Sequence, residues 1–259
     1  MLLAIDVGNT NTVFAIVDGS SIVCRWRCES RSRRTAEQYQ AWLSVLLAAE
    51  LPDSVINAAT ISSVVPGTVF NLEGMCRRFL GITPLVVGSE GCKLPVAVRV
   101  DRNTHVGSDR LVNTVAANDR YGGNLIVVDF GTATTFDVVD EDGGYAGGVI
   151  APGVELSMEA LHRAAAALPA IDVARPKSVV GRNTRDCMRS GIYWGYVSMI
   201  EGICRRIEAE RGMPMRRIGT GGLAALLADP ASSLYEVDAD LTVHGLICIH
   251  NHNKKNFHD

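Results

Sequence analysis

An internal repeat constrains the fold of this 259-residue chain more than any other feature of its sequence. Residues 125–143 can be laid on residues 2–19, and in both copies an apolar strand ends in Asp-x-Gly, small polar residues follow, and a second strand begins. A repeat at half the chain length predicts two similar domains, which we expect at residues 1–120 and 121–259. The aligned pairs are Asp6 with Asp129, Gly8 with Gly131, and Thr12 with Thr135.

Strands and helices alternate around the repeat, which favours an α/β fold. Three short strands are predicted in each copy, separated by turn residues. Thr35, followed three residues later by Gln38, has the spacing of a capping box and predicts a helix from residue 36. Further helices are predicted over TVFNLEGMCRRFLG, from about residue 107 to 121, and from about residue 183 to 211.

The two Asp-x-Gly loops have the chemistry of a phosphate site. Glycine lets the backbone approach a phosphate without a Cβ in the way, and successive N–H groups form an anion-binding concavity. An acid at the strand end needs a cation between itself and the phosphate, most simply Mg²⁺ with its water shell. One Asp-x-Gly is a common turn, but two copies in register predict two hairpins that clamp a polyphosphate.

Composition excludes several classes of function. The net charge is −3 and no basic stretch is long, so no nucleic-acid partner is expected. No run of about 18 apolar residues and no basic leader are present, so neither a membrane span nor a signal peptide is expected. Seven scattered cysteines without C-x-x-C predict reduced thiols and a cytoplasmic location, and the six histidines do not pair at metal spacing.

Six motifs together resemble a known family. The acidic motifs at Asp6 and Asp129 resemble the phosphate motifs of the actin, sugar kinase and Hsp70 superfamily, and GTGG at residues 219–222 resembles its adenosine motif. GSDR (107–110), DFGTATTFD, GGVIAPG (147–153) and GRNT (181–184) follow in the order seen in type III pantothenate kinase. The resemblance implies two ribonuclease H-like (actin-like ATPase) domains, each a mixed sheet flanked by helices, with the active site in the interdomain cleft.

The resemblance also implies an activity. The family phosphorylates pantothenate with ATP to 4'-phosphopantothenate, the first step of coenzyme A biosynthesis, as a homodimer that uses Mg²⁺ and a monovalent cation, K⁺ or NH₄⁺. Two alternatives stay open: a kinase of another small alcohol, and a non-catalytic kinase-like regulator. A P-loop kinase is excluded because G-x-x-x-x-G-K-[ST] is absent.

Site residues follow from the matched motifs. The resemblance makes Asp109 the proton acceptor and Asp129 the ligand of the monovalent cation, and the chemistry of the first loop makes Asp6 the Mg²⁺ residue, through water. Pantothenate is expected at Val100, where the family usually has tyrosine, and at Gly107, Ser108, Asp109, Arg110 and Thr184. The ATP phosphates are expected at Asp6, Val7, Gly8, Asn9, Thr10, Asn11, Thr12, Val13 and Thr132.

Several of these residues also have a simpler interpretation. Asp109 and Thr184 stand at predicted helix starts, where carboxylates and hydroxyls satisfy free N–H groups. Arg110 is either a surface residue or a ligand for a carboxylate or phosphoryl oxygen. The long helix predicts either a two-fold contact or burial within its own domain through Ile192, Trp194, Val197, Ile200, Ile203 and Ile207.

Overall fold

The computed structural model describes residues 1–164, 168–228 and 236–255. The chain forms two compact units. The first unit holds Met1–Ala97, Asp101–Asp119 and the chain from Leu241 onwards, and the second holds Val98–Val100 and Arg120–Asp240.

Each unit is built on one five-stranded mixed sheet with helices around it. Within the described residues the elements are, in chain order, β1 (Leu2–Val7), β2 (Asn11–Asp18), β3 (Ser21–Glu29), α1 (Ala36–Glu50), β4 (Ala58–Ser63), α2 (Thr68–Met75), a π-helical turn (Cys76–Leu80), β5 (Leu85–Val86), α3 (Ser108–Tyr121), β6 (Leu125–Phe130), β7 (Ala133–Val139), β8 (Tyr145–Pro152), α4 (Val154–Ala164), α5 (Thr184–Arg211), β9 (Arg216–Gly221), α6 (Ala224–Leu227), β10 (Glu236–Val237) and α7 (Leu241–Lys255).

The two sheets have the same topology. The strand order is β3-β2-β1-β4-β5 in the first unit and β8-β7-β6-β9-β10 in the second. In each sheet the first three strands of the copy are antiparallel, and the fourth runs parallel to the first. The sequence repeat is therefore a repeat of structure, which confirms the prediction of two mixed sheets flanked by helices.

Local sequence signals set the helix ends where they were expected. Thr35 accepts a hydrogen bond from the Gln38 N–H, and the Gln38 side chain accepts one from the Thr35 N–H, so the capping box is present. The helix predicted to end at Gly81 is α2 continued by the π-helical turn, and Gly81 ends it with a φ of +69°. The long helix α5 begins after its N-cap Asn183.

The division into units differs from the expected ranges 1–120 and 121–259 at Val98–Val100 and, for a longer segment, in the position of α7. This helix packs on β1 and β4 of the first unit. Its buried Leu246 and Ile249 join a core that includes Leu2 and the small Ala4 of β1. The chain therefore returns to the first sheet, because one face of that sheet has space for the last helix.

Among the described residues, no helix is both long enough and apolar enough to cross a membrane.

Candidate active site

The first Asp-x-Gly loop is a tight connection between β1 and β2. The Gly8 N–H donates to the Asn11 carbonyl oxygen at 3.0 Å, which closes the loop. The side chains of Asn9, Thr10 and Asn11 are exposed. The loop therefore presents backbone and short polar side chains to solvent immediately after Asp6.

Three other residues of the predicted phosphate segment, Val7, Thr12 and Val13, have side chains that lie in or against the core. Val7 belongs to the core of the first unit, and Val13 packs against a second core cluster. Thr12 is fully buried, and its hydroxyl lies 2.8 Å from the Ser30 hydroxyl. Val7 and Thr12 are almost entirely buried and Val13 is half-buried, so the side chains of all three serve the fold.

Three serines hold the N-terminus of α3 at the end of β4, the strand beside β1. The Ser108 hydroxyl lies 3.0 Å from the Ser62 hydroxyl, accepts from the Ser63 N–H at 3.1 Å and donates to the Ser63 carbonyl at 3.1 Å. Ser62 is the parallel partner of Asp6 in the neighbouring strand. The start of α3, with Asp109, therefore lies at the same sheet edge as Asp6.

Ser62 and Ser63 are positioning residues that sequence reasoning did not single out. The signal was present, because both stand at the C-terminal end of an apolar strand. At that edge of a sheet, polar side chains contact whatever lies beyond the strand ends. Their partner is 45 or more residues away, and that distance hid the connection.

Asp109 is a half-buried carboxylate whose environment favours its neutral form. Its Oδ1 accepts from the Arg110 N–H at 2.8 Å, which is the contact of a residue in the first turn of a helix. Burial raises the pKa of Asp109, while the N–H and the charge of Arg110 act against that rise. A raised pKa makes the ionised carboxylate a stronger base than an ordinary aspartate.

The second Asp-x-Gly loop, in the other unit, is one residue shorter than the first, since its strands pair at Phe130 and Thr134 where the first pair at Val7 and Thr12. The Gly131 N–H donates to the Ala133 carbonyl at 3.0 Å, and both Gly131 and Thr132 are exposed. The end of β8 lies on this loop, because the Gly153 N–H donates to the Thr132 carbonyl at 3.1 Å. A Cβ on Gly153 would lie 2.2 Å from that carbonyl, so only glycine permits the approach.

Asp129 lies against a glycine of the GTGG motif. Gly221, at the end of β9, has a φ of +90°, and a Cβ there would lie 2.5 Å from Asp129 Oδ1. The same Cβ would lie 2.7 Å from the backbone nitrogen and oxygen of Phe130. The carboxylate of Asp129 therefore occupies space that a side chain on Gly221 would need. A carboxylate oxygen together with the carbonyl oxygens of a neighbouring loop is the kind of ligand set that hard cations prefer.

Gly107 precedes α3 in the first unit, and a Cβ there would lie 2.6 Å from Asp109 Oδ1. Two further predicted site residues, Val100 and Thr184, lie in the second unit. Val100 is half-buried and follows Arg99, whose N–H donates to the Tyr145 carbonyl at 2.8 Å. Thr184 is the first, exposed residue of α5, and the capping bond is made by Asn183, which accepts from the Asp186 N–H at 2.9 Å. The side chain of Thr184 is therefore not needed as the helix cap.

The comparisons with known proteins cover almost the whole chain. The family model of type III pantothenate kinase matches residues 2–206. A protein of Cereibacter sphaeroides (strain ATCC 17029 / ATH 2.4.9) named type III pantothenate kinase is 57% identical over 254 residues, which are 98% of this chain and 99% of that protein.

Two solved structures share the fold. A Campylobacter jejuni protein described as a Baf family transcriptional activator has a TM-score of 0.62 at 17% identity, covering 98% of this chain and 99% of its own. A Sinorhizobium meliloti protein described as a 2-dehydro-3-deoxygalactonokinase has a TM-score of 0.58 at 14% identity, covering 97% and 96%. The folds agree with the ribonuclease H-like, actin-like architecture of two mixed sheets, and the sequence relatives and the family model agree with the resemblance read from the motifs. The chain belongs to the type III pantothenate kinase family.

Proposed function

We propose that this protein transfers the γ-phosphoryl group of ATP to the primary hydroxyl of pantothenate, the first step of coenzyme A biosynthesis. The observation that carries this proposal is the 57% identity, across 98% of the chain, to a protein named type III pantothenate kinase. The two glycine hairpins, each following an aspartate at a strand end, supply the phosphate chemistry that a kinase needs.

The two loops bind the ATP phosphates mainly through their backbones. Their N–H groups stand beside Gly8 and Gly131, where no Cβ blocks a phosphate oxygen. The exposed side chains of Asn9, Thr10 and Thr132 add hydrogen bonds. Val7, Thr12 and Val13 pack in the interior and hold the backbone of the first loop in place for the phosphates.

Asp109 accepts the proton of the substrate hydroxyl. Phosphoryl transfer depends mainly on positioning and on neutralisation of charge, so one oriented carboxylate is a sufficient base. The serine contacts of Ser108 fix the start of α3 and hence the backbone that carries Asp109. Gly107, Ser108 and Arg110 contact pantothenate beside it, and the guanidinium of Arg110 suits a carboxylate or a phosphoryl oxygen.

Two cation positions complete the proposal. Asp6 holds Mg²⁺ through its water shell, and Asp129 is a ligand of K⁺ or NH₄⁺. Bound cations neutralise phosphate charge, which otherwise repels both carboxylates. The close contact of Gly221 with Asp129 supports the second position, because the glycine leaves the carboxylate room at the loop.

We also propose that the protein is a homodimer, in which Thr184 reaches the pantothenate site of the partner. The six apolar residues of α5 do not support this, because Val197 and Ile200 are buried in the second unit's own core and the other four pack against it. The segment leading into α5 supports it better. Val179 and Val180 are 65% and 78% exposed, more apolar surface than two neighbouring residues usually show to water.

A substrate panel tests the proposed activity. Purified protein is incubated with ATP, Mg²⁺ and K⁺, with pantothenate or with other small alcohols such as glycerol, pantothenyl alcohol and a hexose. ADP is followed by a coupled assay, and the product is identified by mass. Turnover with pantothenate above all others supports the proposal. Faster turnover with another alcohol favours the kinase of that alcohol, and ATP binding without turnover on any of them favours the regulator.

A further inference from the structure

Three metal-binding side chains of different types converge in the first unit, away from the residues discussed above. His244 and Cys248 are four residues apart on α7 and therefore share one face of that helix. Asp119, near the end of α3, completes the group, and the ligand atoms of all three lie within 4.8 Å of one another. The group is called the α3–α7 cluster below.

One distance in the α3–α7 cluster already matches a tetrahedral zinc site. Cys248 Sγ lies 3.4 Å from His244 Nε2. A zinc ion with bonds of about 2.0–2.3 Å to nitrogen and sulfur holds those two atoms roughly 3.5 Å apart. Asp119 Oδ2 lies 2.6 Å from the same nitrogen, a hydrogen-bond distance. Insertion of a metal requires the oxygen to move back by less than about 1 Å, to the roughly 3.3 Å that two such ligands keep.

The helices that carry the cluster are held together tightly. A Cβ on Gly245 would lie 2.2 Å from the Val112 carbonyl oxygen, so α3 and α7 touch through their backbones one residue from His244. The Thr242 hydroxyl donates to the Asn113 side-chain oxygen at 2.8 Å across the same crossing. Ligands on rigidly packed helices are pre-organised, which lowers the entropy cost of metal binding.

The donor types select the class of metal. A thiolate and an imidazole prefer Zn²⁺ and similar borderline or soft ions, while Mg²⁺ and K⁺ prefer sets made of oxygen alone. The side chain of Asp119 is 56% exposed and that of His244 is 19% exposed, so the cluster opens to solvent on the carboxylate side. A metal held there has three protein ligands and a fourth position for water.

We propose that Asp119, His244 and Cys248 form a binding site for a zinc-class transition metal that joins α3 to α7. The bound metal links the last helix of the chain to the helix whose first turn carries Asp109. Because it binds the folded unit and not the separate helices, it stabilises that unit. The site is separate from the Mg²⁺ and monovalent cation positions proposed above, and its metal is not required for phosphoryl transfer.

Cobalt spectroscopy tests the site directly. Co²⁺ added to the full chain, purified free of metal, should bind with a thiolate-to-cobalt charge-transfer absorption that reaches its limit at one equivalent. Cys248→Ser should abolish this absorption, and Asp119→Asn and His244→Ala should weaken binding at least tenfold. Cys187→Ser, which alters an exposed thiol on α5, is the matched control and should leave the absorption unchanged.

The absorption, and not metal uptake alone, is the readout, because the histidines near the C-terminus can take up metal without a thiolate. His252→Ala should therefore leave the charge-transfer absorption in place. With free Zn²⁺ at about 100 times the dissociation constant, Tm of the wild type should rise by about 5 °C or more, and Tm of Asp119→Asn should rise much less.

Two results would overturn the proposal. One is a charge-transfer absorption that persists in Cys248→Ser, or that is lost in Cys187→Ser, because the thiolate would then be another cysteine. The other is wild-type protein without that absorption at saturating Co²⁺, in which case the cluster is a hydrogen-bonded contact between two helices. Asp119→Asn changes an exposed side chain, so this variant should fold, and its cobalt affinity still tests the site if Cys248→Ser or His244→Ala does not fold.

Discussion

Replacement of Gly221 by alanine is the sharpest test of how the second unit holds Asp129. The new Cβ would lie 2.5 Å from Asp129 Oδ1 and 2.7 Å from the backbone nitrogen and oxygen of Phe130. The carboxylate can turn away, but the backbone of Phe130 cannot, because Phe130 pairs with Gly221 in the ladder between β6 and β9. The matched control is Gly222→Ala, where a Cβ would meet no atom within 4 Å.

The size of the effect follows from two contributions. A residue other than glycine at a φ of +90° costs about 1–3 kcal/mol of stability. Forcing a methyl group into filled space costs about 1–3 kcal/mol more. Together they predict a loss of about 2–6 kcal/mol, which lowers Tm by at least about 4 °C in a chain of this size. Gly222→Ala should leave Tm unchanged or slightly raise it.

Thermal unfolding of both variants, followed by circular dichroism, measures the difference. The same Gly221→Ala change in an Asp129→Ala background should recover part of the loss, since the overlap with Oδ1 is gone and the overlap with Phe130 remains. Equal Tm values for Gly221→Ala and Gly222→Ala would refute the reasoning. Full recovery in the double variant would show that the carboxylate alone limits the space.

The other predictions concern the proposed chemistry and assembly. Asp109→Asn keeps the oxygen that accepts from Arg110 but removes the base, so kcat should fall about 10²–10⁴-fold with Tm unchanged or higher, and a wild-type kcat would leave Asp109 as a helix-start residue. Burial raises the pKa of Asp109, so the folded state favours the protonated side chain, and this contribution to stability is present below the ordinary pKa and is lost as pH rises through the raised value. The acid limb of kcat/KM should lie above pH 3.8, the ordinary pKa, and should disappear in Asp109→Asn. The Asp129 site predicts activity with K⁺ or NH₄⁺ that Na⁺ cannot replace, and equal initial rates in sodium-only buffer would contradict it. Dilution should lower specific activity together with the dimer fraction measured by sedimentation, whereas a fully active monomer would contradict the role of Thr184 across the interface.

The sequence allowed the repeat, the strands and the two Asp-x-Gly hairpins to be predicted because these features depend on short-range rules. A strand ending in Asp-x-Gly, followed by small polar residues and a second strand, describes a hairpin almost completely. The capping box at Thr35 and the helix end at Gly81 also follow from residues close in sequence, so they could be predicted too. The π-helical turn itself could not be read from the sequence, since its residues have the same period as the helix before it.

Contacts between distant segments could not be predicted from one sequence. The apolar period of α7 shows that the helix is buried but not which sheet it covers, and that choice depends on the space left beside Ala4 and Ala15. The α3–α7 cluster could not be predicted from the spacing of histidines, because it combines a His and a Cys on α7 with an Asp that precedes the His by 125 residues.

The two copies differ in the acid that precedes or begins the next helix. After β5, the helix α3 begins beside the end of β1 and carries Asp109 in its first turn. After β10, the acid that precedes the next helix is Asp238, which is buried, forms an ion pair with Arg120 and accepts from the Tyr121 hydroxyl at 3.0 Å. Burial and Asp238 together raise the pKa of Tyr121 to about 12, so this group stays a hydrogen-bond donor. Asp238 is bonded to two side chains and stabilises the fold, whereas burial raises the pKa of Asp109 and with it the proton affinity of that carboxylate. Of these two acids, Asp109 is therefore the better proton acceptor.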